Sequence, residues 1–287
     1  MVTYALPSLG LGAMGLIFSI YLMTFSTGVL LIAPAVMGGL LAASRLWDAI
    51  SDPMVGYWSD RTRLPMGRRR SWMFAAGIPI AIGTIMIWSP PESLSGLGVV
   101  AWMGLSLFIY ETSSTAFFVP HGALGVELSE SYHERTRLFA YKHVIMVMGL
   151  FLGVAAYGVI VAAADPRQAT FLLALVGGPL IAVLCIYTAL RLPERSEYQN
   201  RGSDSAFRSI SDVFRNPHSR ILLVVYFVES FGLASIAMLV PYMSEYVLGM
   251  PESAIAIIVL YFVAQLVFTP IWLRLSKRYG KKTLFEK

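Results

Sequence analysis

At 287 residues, 56% hydrophobic and only 14% charged, with a mean hydropathy of +0.66, the chain is too apolar for a soluble globular domain. A net charge of +5 would suit a nucleic-acid ligand, but 20 of the 22 Lys and Arg fall in four clusters, at 61–70, 135–142, 191–220 and 274–287. Clusters in alternate loops between apolar segments are the positive-inside pattern, so the basicity encodes orientation in a bilayer and excludes nucleic acid as partner. The single cysteine, Cys185, rules out an intrachain disulfide.

Eight apolar segments are long enough to cross about 30 Å of hydrocarbon at about 1.5 Å per residue. They lie near 6–30, 32–58, 71–88, 97–119, 138–164, 169–190, 221–248 and 254–273. The first follows Met1-Val-Thr-Tyr-Ala-Leu-Pro7, which has neither a charged leader nor an Ala-x-Ala-like cleavage site, and is expected to be a retained helix. Ser89-Pro-Pro-Glu-Ser93, Asp165-Pro-Arg-Gln168 and Gly249-Met-Pro-Glu-Ser253 are short, weakly charged turns, hence external. Both chain ends then fall in the cytoplasm, on a multi-pass protein of the cell (inner or plasma) membrane.

A polar stretch at 191–220 separates six segments from two. Within it Phe207, Ile210, Val213 and Phe214 share one side, which suits either a short helix on the membrane surface or a solvated linker. A weak repeat supports the division. Trp58-Ser-Asp-Arg61 through Gly67-Arg-Arg-Arg70 follows the second segment, and Leu275-Ser-Lys-Arg-Tyr-Gly-Lys-Lys282 follows the eighth. The expected organisation is a six-helix bundle at 1–190, a cytoplasmic central loop at 191–220 and an incomplete second bundle at 221–287. A six-plus-six architecture would leave the chain truncated after its eighth helix.

The chemistry is concentrated in Arg45-Leu-Trp-Asp48-Ala-Ile-Ser-Asp52-Pro-Met-Val-Gly56. Arg45, Asp48 and Asp52 are spaced i, i+3 and i+7 and share a helix face. A charge at the centre of a spanning helix costs about 2.5–3.5 kcal/mol, so three in one stripe must face a bundle interior or a wet cavity. Paired carboxylates offer hard oxygens to Na⁺ or form two linked proton sites, with Ser51 as a possible further oxygen. Alternatively, Arg45 neutralises Asp48 in a buried ion pair.

Glu111, Thr115 and Phe118 form a second stripe, on the fourth segment; Glu111 serves either the solute cavity or inter-helix packing. Glu229, the acid deep in the seventh segment, is a candidate for the same cavity, whereas Glu245 belongs to the interface. His121 is either a packed histidine or a pH-responsive one. Asp60 with Arg68, Arg69 and Arg70, and Glu134, Arg135 and Arg137, sit at inner helix ends. There they gate the two halves against each other or simply anchor orientation. Tyr21, Phe25, Trp102 and Tyr110 are aromatic candidates for stacking on a sugar face. No metal-ligand cluster, nucleophile elbow or phosphate loop points to an enzyme, and no cofactor is expected beyond a coupling ion.

Gly56-Tyr-Trp-Ser-Asp-Arg61 through Gly67-Arg-Arg-Arg70 resembles the signature loop of the major facilitator superfamily. The helix-two motif from Arg45 to Gly56 resembles the glycoside–pentoside–hexuronide:cation symporters, the family of the melibiose carrier. Val119-Pro-His-Gly-Ala-Leu-Gly-Val-Glu127, Tyr132-His-Glu-Arg-Thr-Arg-Leu138 and Pro241-Tyr-Met-Ser-Glu-Tyr-Val-Leu-Gly249 extend the resemblance over essentially the whole chain.

The resemblance implies an all-α membrane protein with a facilitator-type helix bundle. Its function would be symport of a sugar or glycoside-like solute with Na⁺ or H⁺, Asp48 and Asp52 holding the ion with Thr115. Arg45 matches the arginine opening the motif, and Lys142 matches an arginine of the sugar region. Two departures follow: a sugar-contacting aspartate falls on Phe118, and the one on helix one has no acidic counterpart. The cation site is thus retained and the galactoside site is not, with Glu111 a replacement acid. The alternatives are a carrier of a lipid-like amphiphile, or a non-transporting remnant that partners another subunit or a missing carboxy-terminal segment.

Overall fold

The computed structural model describes residues 1–129, 131–194, 215–250 and 253–279, and among them every regular element is helical. The helices are α1 (Val2–Ala5), α2 (Pro7–Thr24), α3 (Pro34–Arg61), α4 (Arg68–Trp88), α5 (Leu97–Glu127), α6 (Tyr132–Ala162), α7 (Pro166–Arg191), α8 (Pro217–Tyr242) and α9 (Ser253–Tyr279). Single π-helical turns follow α2 (Phe25–Val29) and α8 (Met243–Val247). Five spans (Val2–Val29, α4, Glu134–Ala162, α7 and Pro217–Val247) are long and apolar enough to cross a membrane. At 28 and 31 residues α3 and α5 are as long; the charges of α3, and Glu111 with the neighbouring serines and threonines of α5, lower their hydropathy.

Several expected ends are corrected, among them the start of the seventh segment, at Pro217, and the end of the eighth, at Tyr279. The first segment starts at Val2 and is interrupted at Leu6, ahead of Pro7. The fourth does not stop at Val119 but runs through Pro120 to Glu127. Proline removes one amide donor, and a helix packed among others tolerates the freed carbonyl, here that of Ala116. The fifth begins six residues before position 138, at Tyr132, because Glu134 places negative charge in the first helical turn. The proposed surface helix at 206–214 lies outside the described residues, as does Gly280-Lys-Lys282 of the second loop motif.

The chain falls into two compact units, Met1–Leu239 and Val240–Lys287. In the first, α2 packs on α6 and α7, α5 packs on α3 and α4, and α4 packs on α7. Exchanging the first three spans for the second three leaves these pairings unchanged, the mark of a three-plus-three internal repeat. Glycines set the closest approaches. A Cβ on Gly149 of α6 would lie 2.3 Å from the Leu9 carbonyl oxygen, and one on Gly83 of α4 would lie 2.8 Å from the Tyr110 backbone. Along α8, the apolar side chains from Ile221 to Phe231 are exposed. In the second unit α9 contacts the turn Met243–Val247 and buries Ala254, Ile258 and Phe262 on one face.

The backbone carries a second, longer repeat. After α2, Leu30 N–H donates to Phe25 O (3.1 Å), Leu31 is left-handed (φ 57°), and Ile32 N–H donates to Ser26 O (2.9 Å). After α8, Leu248 donates to Met243 O (3.0 Å), Gly249 is left-handed (φ 65°), and Met250 donates to Ser244 O (2.9 Å). Ser26 and Ser244 are both fully buried. The same turn thus closes the first and the seventh spans at matching positions.

A leucine in the left-handed region costs about 1–2 kcal/mol, and a β-branched residue more. Leu31→Val is therefore expected to lower the thermal unfolding midpoint, and Leu31→Gly to hold or raise it, since the side chain is exposed. A valine variant as stable as the parent would mean that the turn does not require this conformation.

Candidate functional site: a charged cavity among α2, α3 and α5

Helices α3 and α5 run parallel, and small or polar residues bring them together. Gly104 lies against Leu40, Trp47 Nε1 donates to Thr112 Oγ1 (2.8 Å), and Gly56 faces Val119. At the same interface Thr115 Oγ1 donates to Asp52 Oδ1 at 2.8 Å, and Ser51 Oγ stands 3.5 Å from Thr115 Oγ1. Asp48 lies 14 residues past Pro34 and Glu111 the same distance past Leu97, so both sit near the midpoints of their helices. That is roughly 21 Å from the helix start at 1.5 Å per residue, the depth of the bilayer centre.

A cavity of about 440 Å³ opens at this level, with Arg45, Asp48 and Asp52 of α3 and Tyr110, Glu111, Ser114, Thr115, Phe118 and Val119 of α5 in its wall. Leu11, Gly15, Phe18 and Ser19 complete the wall from α2. Arg45 Nη1 donates to Asp48 Oδ2 at 3.0 Å, and Arg45 Nη2 lies 3.2 Å from Glu111 Oε1. Asp48 Oδ1 is buried and, among the described residues, has no hydrogen-bond partner. Phe18 stacks on Tyr110 at 5.3 Å between centroids. The Asp48 and Asp52 carboxylates, one Asp48 oxygen unpaired, and the Thr115 hydroxyl form an all-oxygen donor set of the kind hard cations use.

Of the sequence candidates, Arg45, Asp48, Asp52, Glu111 and Thr115 meet here, together with Tyr110. Ser51 sits behind Thr115, buried and off the cavity wall, because the single step of about 100° from Asp52 turns its side chain into the helix interface. Lys142 is placed elsewhere: its ammonium lies 5.9 Å from the Tyr4 ring, and no residue of α6 lines the cavity. Glu229 is exposed on α8 and outside the cavity lining. Tyr21 and Phe25 pack on Trp88, and Trp102 donates to Met86 O, so these three aromatics serve packing. His121 is buried between Tyr4 (4.1 Å) and Phe117 (5.0 Å), with Nε2–H donating to Tyr4 O. Leu11, Phe18 and Ser19 are not among the sequence candidates: their i, i+7, i+8 spacing puts them on one face, but the first span is apolar on every face.

The basic end of the bundle holds a second charge cluster. Arg69 donates to Asp60 Oδ1 through Nη2 (2.8 Å) and Nε (3.1 Å), and Arg68 Nη2 donates to Glu127 Oε1 (2.7 Å). Glu127 also pairs with Arg69 Nη1 at 2.8 Å. Glu194, just past α7, accepts the backbone N–H of Arg69 (3.3 Å) and Arg70 (3.4 Å) and lies 3.3 Å from Arg68 Nε. In return Arg70 donates to the carbonyls of Ala189 (2.7 Å) and Leu190 (2.8 Å) at the end of α7. The start of α4 and the end of α7 thus cap each other, carboxylate to free amides and guanidinium to free carbonyls. Only glycine suits position 67, where φ is 113° and a Cβ would collide with the Glu194 carboxylate.

Among the described residues, the side-chain pairs of Asp60, Arg68, Arg69 and Arg70 tie α3, α4, α5 and the end of α7 together within the first unit. Glu134 accepts from Ser129 Oγ at the start of α6, Arg135 is half-buried, and Arg137 is exposed. Glu194→Gln keeps an acceptor but removes the charge beside buried Arg68 and Arg69. It is expected to cost roughly 1–3 kcal/mol, read as a lowered thermal midpoint beside Glu92→Gln on an exposed loop as control. Equal midpoints for the two variants would show that the clamp adds no stability.

The chain matches the MFS/sugar transport protein family over residues 3–286. It is 34% identical to the uncharacterized symporter sll1374 of Synechocystis sp. over 62% of this chain and 34% of that protein. It is 26% identical to the sodium-dependent lysophosphatidylcholine symporter 1 of Gallus gallus over 94% of this chain and 57% of that one. It is also 26% identical to the inner membrane symporter YicJ of Escherichia coli K12, over 93% and 58%. The chain therefore spans about a third to just over half of the length of these relatives. Together with the helical bundle and its charged mid-helix cavity, the match over nearly every residue identifies an integral membrane protein that belongs to the MFS/sugar transport protein family.

Proposed function

We propose that this chain carries the cation-binding half of a secondary active symporter that couples Na⁺ or H⁺ to solute movement. The observation that carries the reading is the mid-helix convergence of Asp48, Asp52 and Thr115 on one cavity, with the Thr115–Asp52 hydrogen bond at 2.8 Å fixing the geometry. In this reading residues 1–190 form the first bundle, 191–220 a central cytoplasmic loop, and 221–287 the opening spans of a second bundle, in an inner or plasma membrane with both ends cytoplasmic. The cation binds first at Asp48 and Asp52 and favours solute binding in the same cavity. The loaded carrier then rocks about the interface between its halves. Each elementary charge carried inward gains about 2.3 kcal/mol per 100 mV of membrane potential.

The solute in the first reading is a sugar or glycoside, as in the glycoside–pentoside–hexuronide:cation symporters that the helix-two motif resembles. A specific observation favours a second reading, a lipid-like amphiphile: Leu11, Phe18, Phe118 and Val119 give the cavity an apolar wall beside the charges. Relatives named as lysophosphatidylcholine symporters support it. The test is calorimetric titration of the purified protein in nanodiscs with NaCl against choline chloride, together with proton uptake on a pH jump. Saturable sodium binding or stoichiometric proton uptake that depends on Asp48 is expected; neither response would sink cation coupling.

A further inference from the structure

Helix α1 is a single turn, Val2–Ala5, and the bundle grips it by its carbonyls. Position 7 is proline, so the Thr3 carbonyl has no backbone N–H four residues on to accept from. Thr188 Oγ1 of α7 donates to it instead, at 3.0 Å. One residue along, His121 Nε2–H of α5 donates to the Tyr4 carbonyl at 2.9 Å. Two helices thus hold successive carbonyls of α1, and the interruption at Leu6 joins it to α2.

The grip is incomplete. Tyr4 and Ala5 are fully buried, yet the Tyr4 hydroxyl and His121 Nδ1 have no hydrogen-bond partner among the described residues. Two buried polar groups left unpaired oppose the docked state and gain partners from water once α1 lifts. Lys142, 5.9 Å from the Tyr4 ring centre, favours the docked ring through its charge. Gly125 of α5 makes room for that ring, since a Cβ there would collide with the Tyr4 hydroxyl.

What α1 covers leads to the cavity. Tyr4 stacks on His121 (4.1 Å between centroids), His121 stacks on Phe117 (5.0 Å), and Phe117 meets Phe118 edge-on (5.9 Å). Tyr4, His121 and Phe117 are buried, whereas Phe118 stands in the cavity wall.

We propose that α1 is a latch at the basic end of the bundle. Docked, it closes the row of rings that leads to the cavity; released from Thr188 and His121, it swings out about Leu6–Pro7. A proline junction suits such a hinge because the backbone hydrogen bond that swinging would break is already missing. The latch governs access to the cavity and does not depend on which ion or solute binds there.

The test uses the 287-residue protein in nanodiscs with Cys185 replaced by alanine and one reporter thiol at a time. The reporters are Ala5→Cys on the latch, Phe117→Cys in the row, and Ala174→Cys, equally buried toward the other end of α7, as control. Thr188→Val keeps the shape and removes the donor. It is expected to speed N-ethylmaleimide labelling at positions 5 and 117 by about fivefold or more, and to leave position 174 unchanged. Thr188→Ser, which restores the donor, should return the parent rates. His121→Phe, which keeps a stacked ring without the donor, should speed position 5 as Thr188→Val does. Where a reporter variant fails to fold, hydrogen exchange over residues 1–10 and 115–125 of the Thr188→Val protein reads the same opening.

Acceleration at position 5 alone would make α1 a fraying end that covers nothing. Equal acceleration at 5, 117 and 174 would mean general loosening of the bundle, and unchanged rates would mean that Thr188 and His121 do not hold α1. Each of these results overturns the latch.

Discussion

Asp48→Asn is expected to remove the cation response altogether while leaving the protein folded and inserted. Asparagine keeps the size and one acceptor oxygen of aspartate but not its charge. Among the described residues the buried Asp48 Oδ1 has no hydrogen-bond partner, whereas the Thr115 hydroxyl is already committed to Asp52, so Asp48 supplies the unpaired oxygen of the donor set. Loss of one anionic oxygen ligand from such a set should weaken sodium binding by roughly 100-fold, about 2.7 kcal/mol. Under proton coupling the same variant mimics the protonated acid, so solute binding becomes independent of pH. The fold should survive because Arg45 is mostly exposed and retains Glu111. Sodium isotherms and pH-jump proton uptake distinguish the two ions, and a thermal melt controls for folding. Full cation dependence in the asparagine variant would remove Asp48 from the site and leave the Arg45–Asp48 pair as its whole role.

The parts of this molecule that were legible in the sequence are those where chemistry stands out against an apolar background. Arg45, Asp48 and Asp52 share a face by helical spacing alone, and the cavity is where that face points. Thr115 needed the resemblance, since a threonine in a membrane helix more often bonds its own backbone, as Thr84 and Thr170 do. Leu11 and Phe18 were illegible because the first span is apolar on every side, so nothing in the pattern distinguishes the cavity face. Lys142 shows the limit of position-by-position transfer: its helix packs against α2 on a side that meets the Tyr4–His121 stack, not the cavity.

Glu194 was illegible for a different reason. In sequence it opens a polar linker, and only folding brings it 125 residues back to the amides of α4. The charges at that end of the bundle are paired more densely than a gate between halves requires. Asp60 and Glu127 each pair with both Arg68 and Arg69, whereas buried Glu194 pairs with Arg68 alone, so releasing Arg68 leaves a buried anion without its guanidinium. Such an arrangement favours a bundle that moves as one body.

Rigidity of that body predicts the largest structural effect, at Gly149. Helices α2 and α6 run parallel and approach until the Gly149 Cα meets the Leu9 carbonyl; an added Cβ would sit 2.3 Å from that oxygen and 3.0 Å from the Ser8 oxygen. Both neighbours are backbone in the first turn of α2, so no side-chain rotation relieves the clash and the helices must separate. Overpacking of this kind costs about 1–3 kcal/mol and more where backbone is the obstacle. Gly149→Ala is therefore expected to lose about 3 kcal/mol and Gly149→Leu to fail to yield a monodisperse protein. Gly122→Ala is the matched control, since a Cβ there meets nothing within 4 Å and helix propensity favours alanine by about 0.8–1 kcal/mol. Size-exclusion profiles and thermal midpoints of the three variants check the ordering. A Gly149→Ala protein as stable as Gly122→Ala would show that α2 and α6 are not held at this distance in the bilayer, and the cavity wall contributed by α2 would then have to be redrawn.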